Sequence, residues 1–289
     1  MEVVRSKIMG YCAGVVRVIK QAEEALRLAA ERGVRAYSIG WFIHNPTVVH
    51  RFEKRGMSPI SHPSEGEAGV ALIRAHGIGD SLRHAFQEAG FTLVDGTCHT
   101  VAYSQEMIRK GDPQDNIIII GKRGHSEVLA LSNVWNRQGE VIKTTIIEEA
   151  DEIAKLEEFG EHPLLVMVQT TFSQPHYDEI LEALKRRYAE RLKVGNRLCP
   201  TTYRRHSALL ELCQEVDAVV VVGGKMSANT TALTHLVEKN KLPVWHVESY
   251  KELPSEIFTY SKVGVTAGTS TPDEDIEEVI AHLMGGGVK

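Results

Sequence analysis

The sequence runs to 289 residues, 43% hydrophobic and 25% charged, with 33 Lys and Arg against 38 Asp and Glu and a formal net charge of −5. That balance is ordinary for a globular protein in water, and it lacks the basic footprint of a nucleic-acid binder. The best apolar runs, 116–121 and 218–222, are strand-length and well short of the about 20 residues of a bilayer span, so no membrane partner is expected.

Residues 1–7 carry charges and lead directly into an apolar strand with no signal-peptide core, so the expected location is the cytoplasm. Further strands are predicted near 34–39, 69–74, 92–94, 116–120, 164–168, 217–222, 244–247 and 262–266, with the first near 3–8. Continuous Val/Ile/Leu runs such as 117–120 read as strands buried on both faces. Helices of about three turns fill the gaps. The first places Val16, Ile19, Leu26 and Ala29 on one face and stops at Gly33; Gly90 and Gly111 end others in the same way. Strand–helix alternation throughout predicts an α/β fold of mostly parallel sheets.

Cys12, Cys98 and Cys199 sit at nearly even intervals, each before a helix: Gly-Tyr-Cys-Ala-Gly (10–14), Asp-Gly-Thr-Cys-His-Thr (95–100) and Leu-Cys-Pro-Thr-Thr (198–202). The last two segments are weakly alike. Together with the spacing they point to three similar α/β lobes, 13–97, 98–196 and 197–289, joined by an N-terminal strand segment 1–12. In a reducing compartment such cysteines are ligands or catalysts before they are disulfides. Three converging thiolates leave one position open on a metal, and soft thiolates select iron–sulfur clusters, zinc or Cu(I). The bland alternative is three buried small hydrophobes. Cys213, in a helix with Leu209, Leu212 and Val216, is read as packing.

Parallel α/β sheets bind ligands outside the carboxyl ends of their strands. His44, His76 and His125 each follow a predicted strand and sit beside Asn or Gly; they suit an anion, with a metal site as the alternative, though their spacing matches no zinc signature. Ser227, Asn229 and Ser270 follow two later strands near helix N-termini, a setting for anions or for ordinary capping. Thr271-Pro-Asp-Glu274 reads as a capping box. Gln169, Thr170 and Thr171 end the 164–168 strand. Glu127, two residues after His125, is either a proton donor whose burial raises its pKa or an acid favoured by a helix N-terminus. No P-loop pattern is present, which disfavours nucleotides.

These residues lie in a collinear series of motifs. They are Gly-Tyr-Cys-Ala-Gly-Val-x-Arg (10–17), Ile-His-Asn-Pro-x-Val-Val (43–49), Ala-His-Gly (75–77), Asp-x-Thr-Cys (95–98), Gly-His-x-Glu-Val (124–128), Gln-Thr-Thr-x-Ser (169–173), Cys-x-x-Thr (199–202), Gly-x-Lys-x-Ser-x-Asn (223–229) and Gly-Val-Thr-Ala-Gly-x-Ser-x-Pro-Asp (264–273). The series resembles the 4-hydroxy-3-methylbut-2-enyl diphosphate reductase family, from Gly10 to about Ile280. The resemblance implies a pseudo-threefold trefoil of three α/β lobes around a central [4Fe-4S] cluster held by Cys12, Cys98 and Cys199, with one iron open to substrate. It further implies that His44, His76, His125, Ser227, Asn229, Ser270 and Thr170 bind an allylic diphosphate, that Glu127 and Thr170 deliver protons, and that a ferredoxin or flavodoxin-type protein donates electrons. The chain departs from the family pattern at Ala228, where a second serine is usual, at His99 and Ser126, where proline is usual, and at Lys122-Arg123. Two other readings stand beside this one: a paralogue reducing another phosphorylated or allylic compound, and a non-redox α/β binding protein with zinc or no metal.

Overall fold

The computed structural model describes residues 1–111, 116–156, 159 and 162–285. Two compact units are distinguished: 1–16 with 43–54 and 200–289, and 17–42 with 55–199. Among the described residues the strands form three four-stranded sheets, all parallel, as the α/β pattern predicted.

Two of the sheets belong to the second unit. One has the order β3-β2-β4-β5, from β2 (Ala36–Ile39), β3 (Met57–Ile60), β4 (Val70–Ile73) and β5 (Thr92–Asp95). The other has the order β7-β6-β8-β9, from β6 (Asn116–Ile120), β7 (Thr144–Ile147), β8 (Leu164–Val168) and β9 (Leu192–Val194). The first unit holds β1 (Glu2–Arg5), β10 (Ala218–Val222), β11 (Val244–Val247) and β12 (Lys262–Ala267), in the order β1-β12-β10-β11. Read from the other edge, that order is again second, first, third, fourth, with the N-terminal strand β1 taking the fourth place. One wiring diagram is therefore used three times.

The inner strands explain the apolar runs. β10 and β8 are buried at every position and β6 at all but its first residue, because helices cover both faces. One face of the third sheet packs Val220, Val222, Val263 and Val265 against Ile276, Val279, Ile280 and Leu283 of α9 (Asp273–Met284). Its other face packs Val219 and Val221 against Leu209 and Leu212 of α7 (Pro200–Cys213) and Leu233 and Val237 of α8 (Ala228–Lys239), with Cys213 at the margin. Each such side chain contributes about 1.5–3 kcal/mol of burial.

The remaining α-helices among the described residues are α1 (Ala13–Arg32), α2 (Pro46–Glu53), α3 (Asp80–Glu88), α4 (His99–Arg109), α5 (Ser126–Leu131) and α6 (Gln174–Tyr188). The buried face of α1 is Val15, Val18, Ala22, Ala25 and Ala29; Val16 is exposed, so the apolar face lies one residue away from its predicted start. Small alanines carry this face, and a pattern built on large residues misplaces it. Gly33 and Gly90 take positive φ after α1 and α3 as predicted, whereas α4 ends on Lys110 in the right-handed region before Gly111. The predicted capping box at Thr271 does not form. Pro272 caps α9 without a side-chain bond, and the Thr271 hydroxyl donates instead to Val222 O at 3.0 Å. Among the described residues no helix is long and apolar enough to cross a membrane.

Candidate functional site

The repeated strand order sorts the candidate residues into three positions. Where the first strand turns one way to the second and the other way to the third, a crevice opens at the carboxyl ends of the first and third strands. After the first strands (β2, β6, β10) come His44, then His125 with Glu127, then Ser227 with Asn229. After the third strands (β4, β8, β12) come His76, Thr170 and Ser270. After the fourth strands (β5, β9, β1) come Cys98, Cys199 and Cys12, followed by α4, α7 and α1. Each sheet thus presents two polar positions at its switch point and one cysteine at its edge strand.

In the second unit, β8 ends so that Thr170 faces α5. The Glu127 carboxylate accepts the Thr170 backbone N–H at 2.8 Å on Oε1 and the Thr170 hydroxyl at 2.9 Å on Oε2. Glu127 is 1% exposed. Burial pushes its pKa up to about 7, while the two bonds from Thr170 pull the other way. His125 caps α5: its Nδ1 accepts the Glu127 N–H at 3.1 Å, which assigns the ring proton to Nε2 and makes Nε2–H the outward donor. The His76 ring stands edge-on to His125, with centroids 5.4 Å apart at 90°. Gln169 is spent on structure, accepting the Lys122 N–H and donating to the Thr171 hydroxyl.

Cys98 caps α4, and its N–H donates to Ala75 O at 2.9 Å. Arg17 donates to the carbonyls of Thr97 and Asp95 immediately before it. Cys199 donates its N–H to Thr170 O at 2.8 Å. Asn196, upstream of Cys199, is 5% exposed; its Oδ1 accepts Val168 N–H at 2.7 Å, and its Nδ2 donates to Val168 O and to Ser104 Oγ, each at 2.8 Å.

In the first unit, Cys12 N–H donates to Thr269 O at 3.1 Å, and Cys12 Sγ accepts from Val15 N at 3.4 Å. All four cysteines are half-buried. Ser227 caps α8, its hydroxyl accepting from Thr230 N at 3.3 Å. Asn229 is 4% exposed, yet neither end of its amide reaches a partner among the described residues. A buried amide left unsatisfied is costly, and such sites are ones a ligand completes. Ser270 donates to His44 O at 3.2 Å, and Asn45 Nδ2 donates to Ser270 O at 2.9 Å while its Oδ1 caps α2. Gly223 opens this loop at φ +143, where an added Cβ would stand 2.5 Å from Thr271 Oγ1.

Asn45, Asn196, Arg17 and Arg205 were not singled out from sequence. Asn45 had a signal, as the Asn-Pro cap of α2. Arg17 closes the 10–17 motif but carried no assigned role, while Asn196 and Arg205 bind groups far along the chain and leave no local pattern.

A family model described as LytB protein matches residues 3–284. The 4-hydroxy-3-methylbut-2-enyl diphosphate reductase of Treponema denticola is 35% identical over 99% of this chain and 100% of that protein. The reductase of the same name from Aquifex aeolicus is 30% identical over 98% of this chain and 96% of its own length. Among solved structures, the E-1-hydroxy-2-methyl-but-2-enyl-4-diphosphate reductase of Plasmodium falciparum superposes with a TM-score of 0.86 at 25% identity, covering 97% of this chain and 87% of that one. The structure titled as (E)-4-hydroxy-3-methyl-but-2-enyl diphosphate reductase, the terminal enzyme of the non-mevalonate pathway, gives 0.72 at 28% identity, covering 99% of this chain and all of that one.

Proposed function

Because the chain belongs to the LytB protein family, we propose that it is an iron–sulfur reductase. In this reading it converts (E)-4-hydroxy-3-methylbut-2-enyl diphosphate to isopentenyl and dimethylallyl diphosphate. Two electrons and two protons enter, the allylic C–O bond breaks, and water leaves. The observation that carries the reading is the buried Glu127 carboxyl, hydrogen-bonded twice by Thr170, with its pKa pushed up to about 7 by burial. Hydroxide is a poor leaving group, and a carboxyl held near neutrality is suited to protonate it.

Cys12, Cys98 and Cys199 fit a [4Fe-4S] cluster by the chemistry of the donor set: three half-buried soft ligands, each following an edge strand and preceding a helix. When bound, the cluster supplies electrons and an open Lewis-acidic iron. His44, His76, His125, Ser227, Asn229 and Ser270 hold the diphosphate, Nε2–H of His125 and the unsatisfied Asn229 amide among the donors. Anchoring that end removes much of the entropic cost of aligning the alcohol. Glu127, steadied by Thr170, gives one proton to the departing oxygen. The second proton reaches either end of the allylic unit, giving the two isomers. The electrons come from a ferredoxin or flavodoxin-type partner, and reduced thiolates suit a cytoplasmic setting.

Anaerobic purification tests the whole. The protein is expected to be brown, with iron and sulfide in near-equal amounts, and to turn over the hydroxymethylbutenyl diphosphate with an artificial one-electron reductant. Colourless protein holding zinc would refute the redox reading, and a brown protein inert toward this substrate would favour a paralogue acting on another compound.

A further inference from the structure

Arg205 heads the large side chains that are fully buried, at 1% exposure. It lies on α7, the helix that begins directly after Cys199. Its guanidinium donates to Ala267 O at 2.5 Å, at the end of β12, and to Gly10 O at 2.8 Å. Gly10 stands at φ +77 in the turn that runs into Cys12. One side chain therefore grips both the last residue of β12 and the turn bearing Cys12. Burying a cation carries a large desolvation cost, which a neutral brace would avoid. The neutral solution exists in the same protein: Asn196, next to the Cys199 segment, holds Val168 and Ser104 with an uncharged amide.

We propose that Arg205 is a positioning residue that fixes the Cys12 turn for its metal and that its buried charge raises the reduction potential of the iron–sulfur group held there. The inference rests on the reading of Cys12 as a cluster ligand. A fixed positive charge in a low-dielectric surrounding favours the state carrying one more electron. The bidentate fork fixes two carbonyls at once, which a lysine ammonium on its single stem does not reproduce.

The test compares anaerobically reconstituted wild type, R205K and R205Q by redox titration followed by electron paramagnetic resonance, and by the rate of iron release to a chelator. R205K is expected to keep the wild-type potential and to release iron several-fold faster. R205Q is expected to release iron faster as well, with its one-electron reduction equilibrium shifted about tenfold toward the oxidised form, about 59 mV lower. R205K holding iron as tightly as wild type would overturn the positioning role. R205Q and R205K of equal potential would overturn the electrostatic one. R205M, which keeps the bulk without a polar head, replaces R205Q if that variant does not fold; if neither neutral variant folds, the charge serves folding and the proposal fails. Wild type that takes up no iron and sulfide would instead refute the reading of the cysteines.

Discussion

Replacing Glu127 by Gln removes the charge and keeps the shape. Gln accepts the Thr170 N–H through Oε1 and donates through Nε2 to the Thr170 hydroxyl, which turns to accept, so both contacts at 2.8 and 2.9 Å survive. The folded state raises the Glu127 pKa from its ordinary 4.5 to about 7, chiefly by burial. That rise is worth about 3 kcal/mol against the ionised form. For an acid shifted upward, the favourable contribution is complete below pH 4.5 and is lost as pH climbs through about 7. The stability of wild type relative to E127Q should therefore fall by about 3 kcal/mol across that window, at about 1.4 kcal/mol per pH unit, and level off above it. Urea unfolding of the two apoproteins from pH 4.5 to 8 measures this directly. In the loaded enzyme, E127Q should keep its iron and sulfide and lose about a hundred- to ten-thousand-fold in turnover. The wild-type rate should decline above pH 7, where the acid is spent. A stability difference flat with pH would show that Glu127 is not perturbed, and normal turnover in E127Q would show that it is not the proton donor.

Serine at Cys12, Cys98 or Cys199 should abolish the brown colour and the bound iron, whereas C213S should retain both, since Cys213 packs at the margin of an apolar cluster. N229A should raise KM at least tenfold without lowering the stability of the apoprotein in a thermal melt, because it deletes buried polar atoms that have no partner among the described residues. A228S, which places a hydroxyl in the first turn of α8, should lower KM several-fold if that turn binds the diphosphate. G223A should destabilise the protein by about 2 kcal/mol or more, measured by urea unfolding, as its Cβ would meet Thr271 Oγ1 at 2.5 Å in a left-handed backbone.

What the sequence disclosed follows from where each residue lies in its sheet. The nine predicted strands include all the inner strands, whose two-sided burial writes an unbroken apolar run such as Ile117 to Ile120. The three that escaped notice, β3, β7 and β9, are all edge strands. Met-Ser-Pro-Ile exposes its centre, Thr-Thr-Ile-Ile is half-buried along most of its length, and Leu-Lys-Val is largely open. Edge strands need no continuous apolar run and tolerate proline and charge, so periodicity passes over them. Missing them also hid the threefold repetition of strand order, which accounts for the cysteine spacing better than the short similar strings do. The candidate polar residues were legible because glycine, asparagine and histidine cluster where strands end. The braces at Asn196 and Arg205 were not, since Arg205 bonds distant carbonyls and Asn196 bonds a distant strand and the Ser104 hydroxyl, and neither leaves a local pattern.

The third sheet takes its fourth strand from the opposite end of the chain: β1 pairs with β12 from Glu2 against Lys262 to Arg5 against Val265. This sheet can therefore be finished only once residues 2–5 and 262–265 have both been synthesised. The two sheets built from contiguous sequence can mature earlier, with Cys98 already capping its helix. Cys12 waits, because the backbone oxygen that orients its amide belongs to Thr269. The turn that carries Cys12 is thereby completed only after residue 269 has been synthesised.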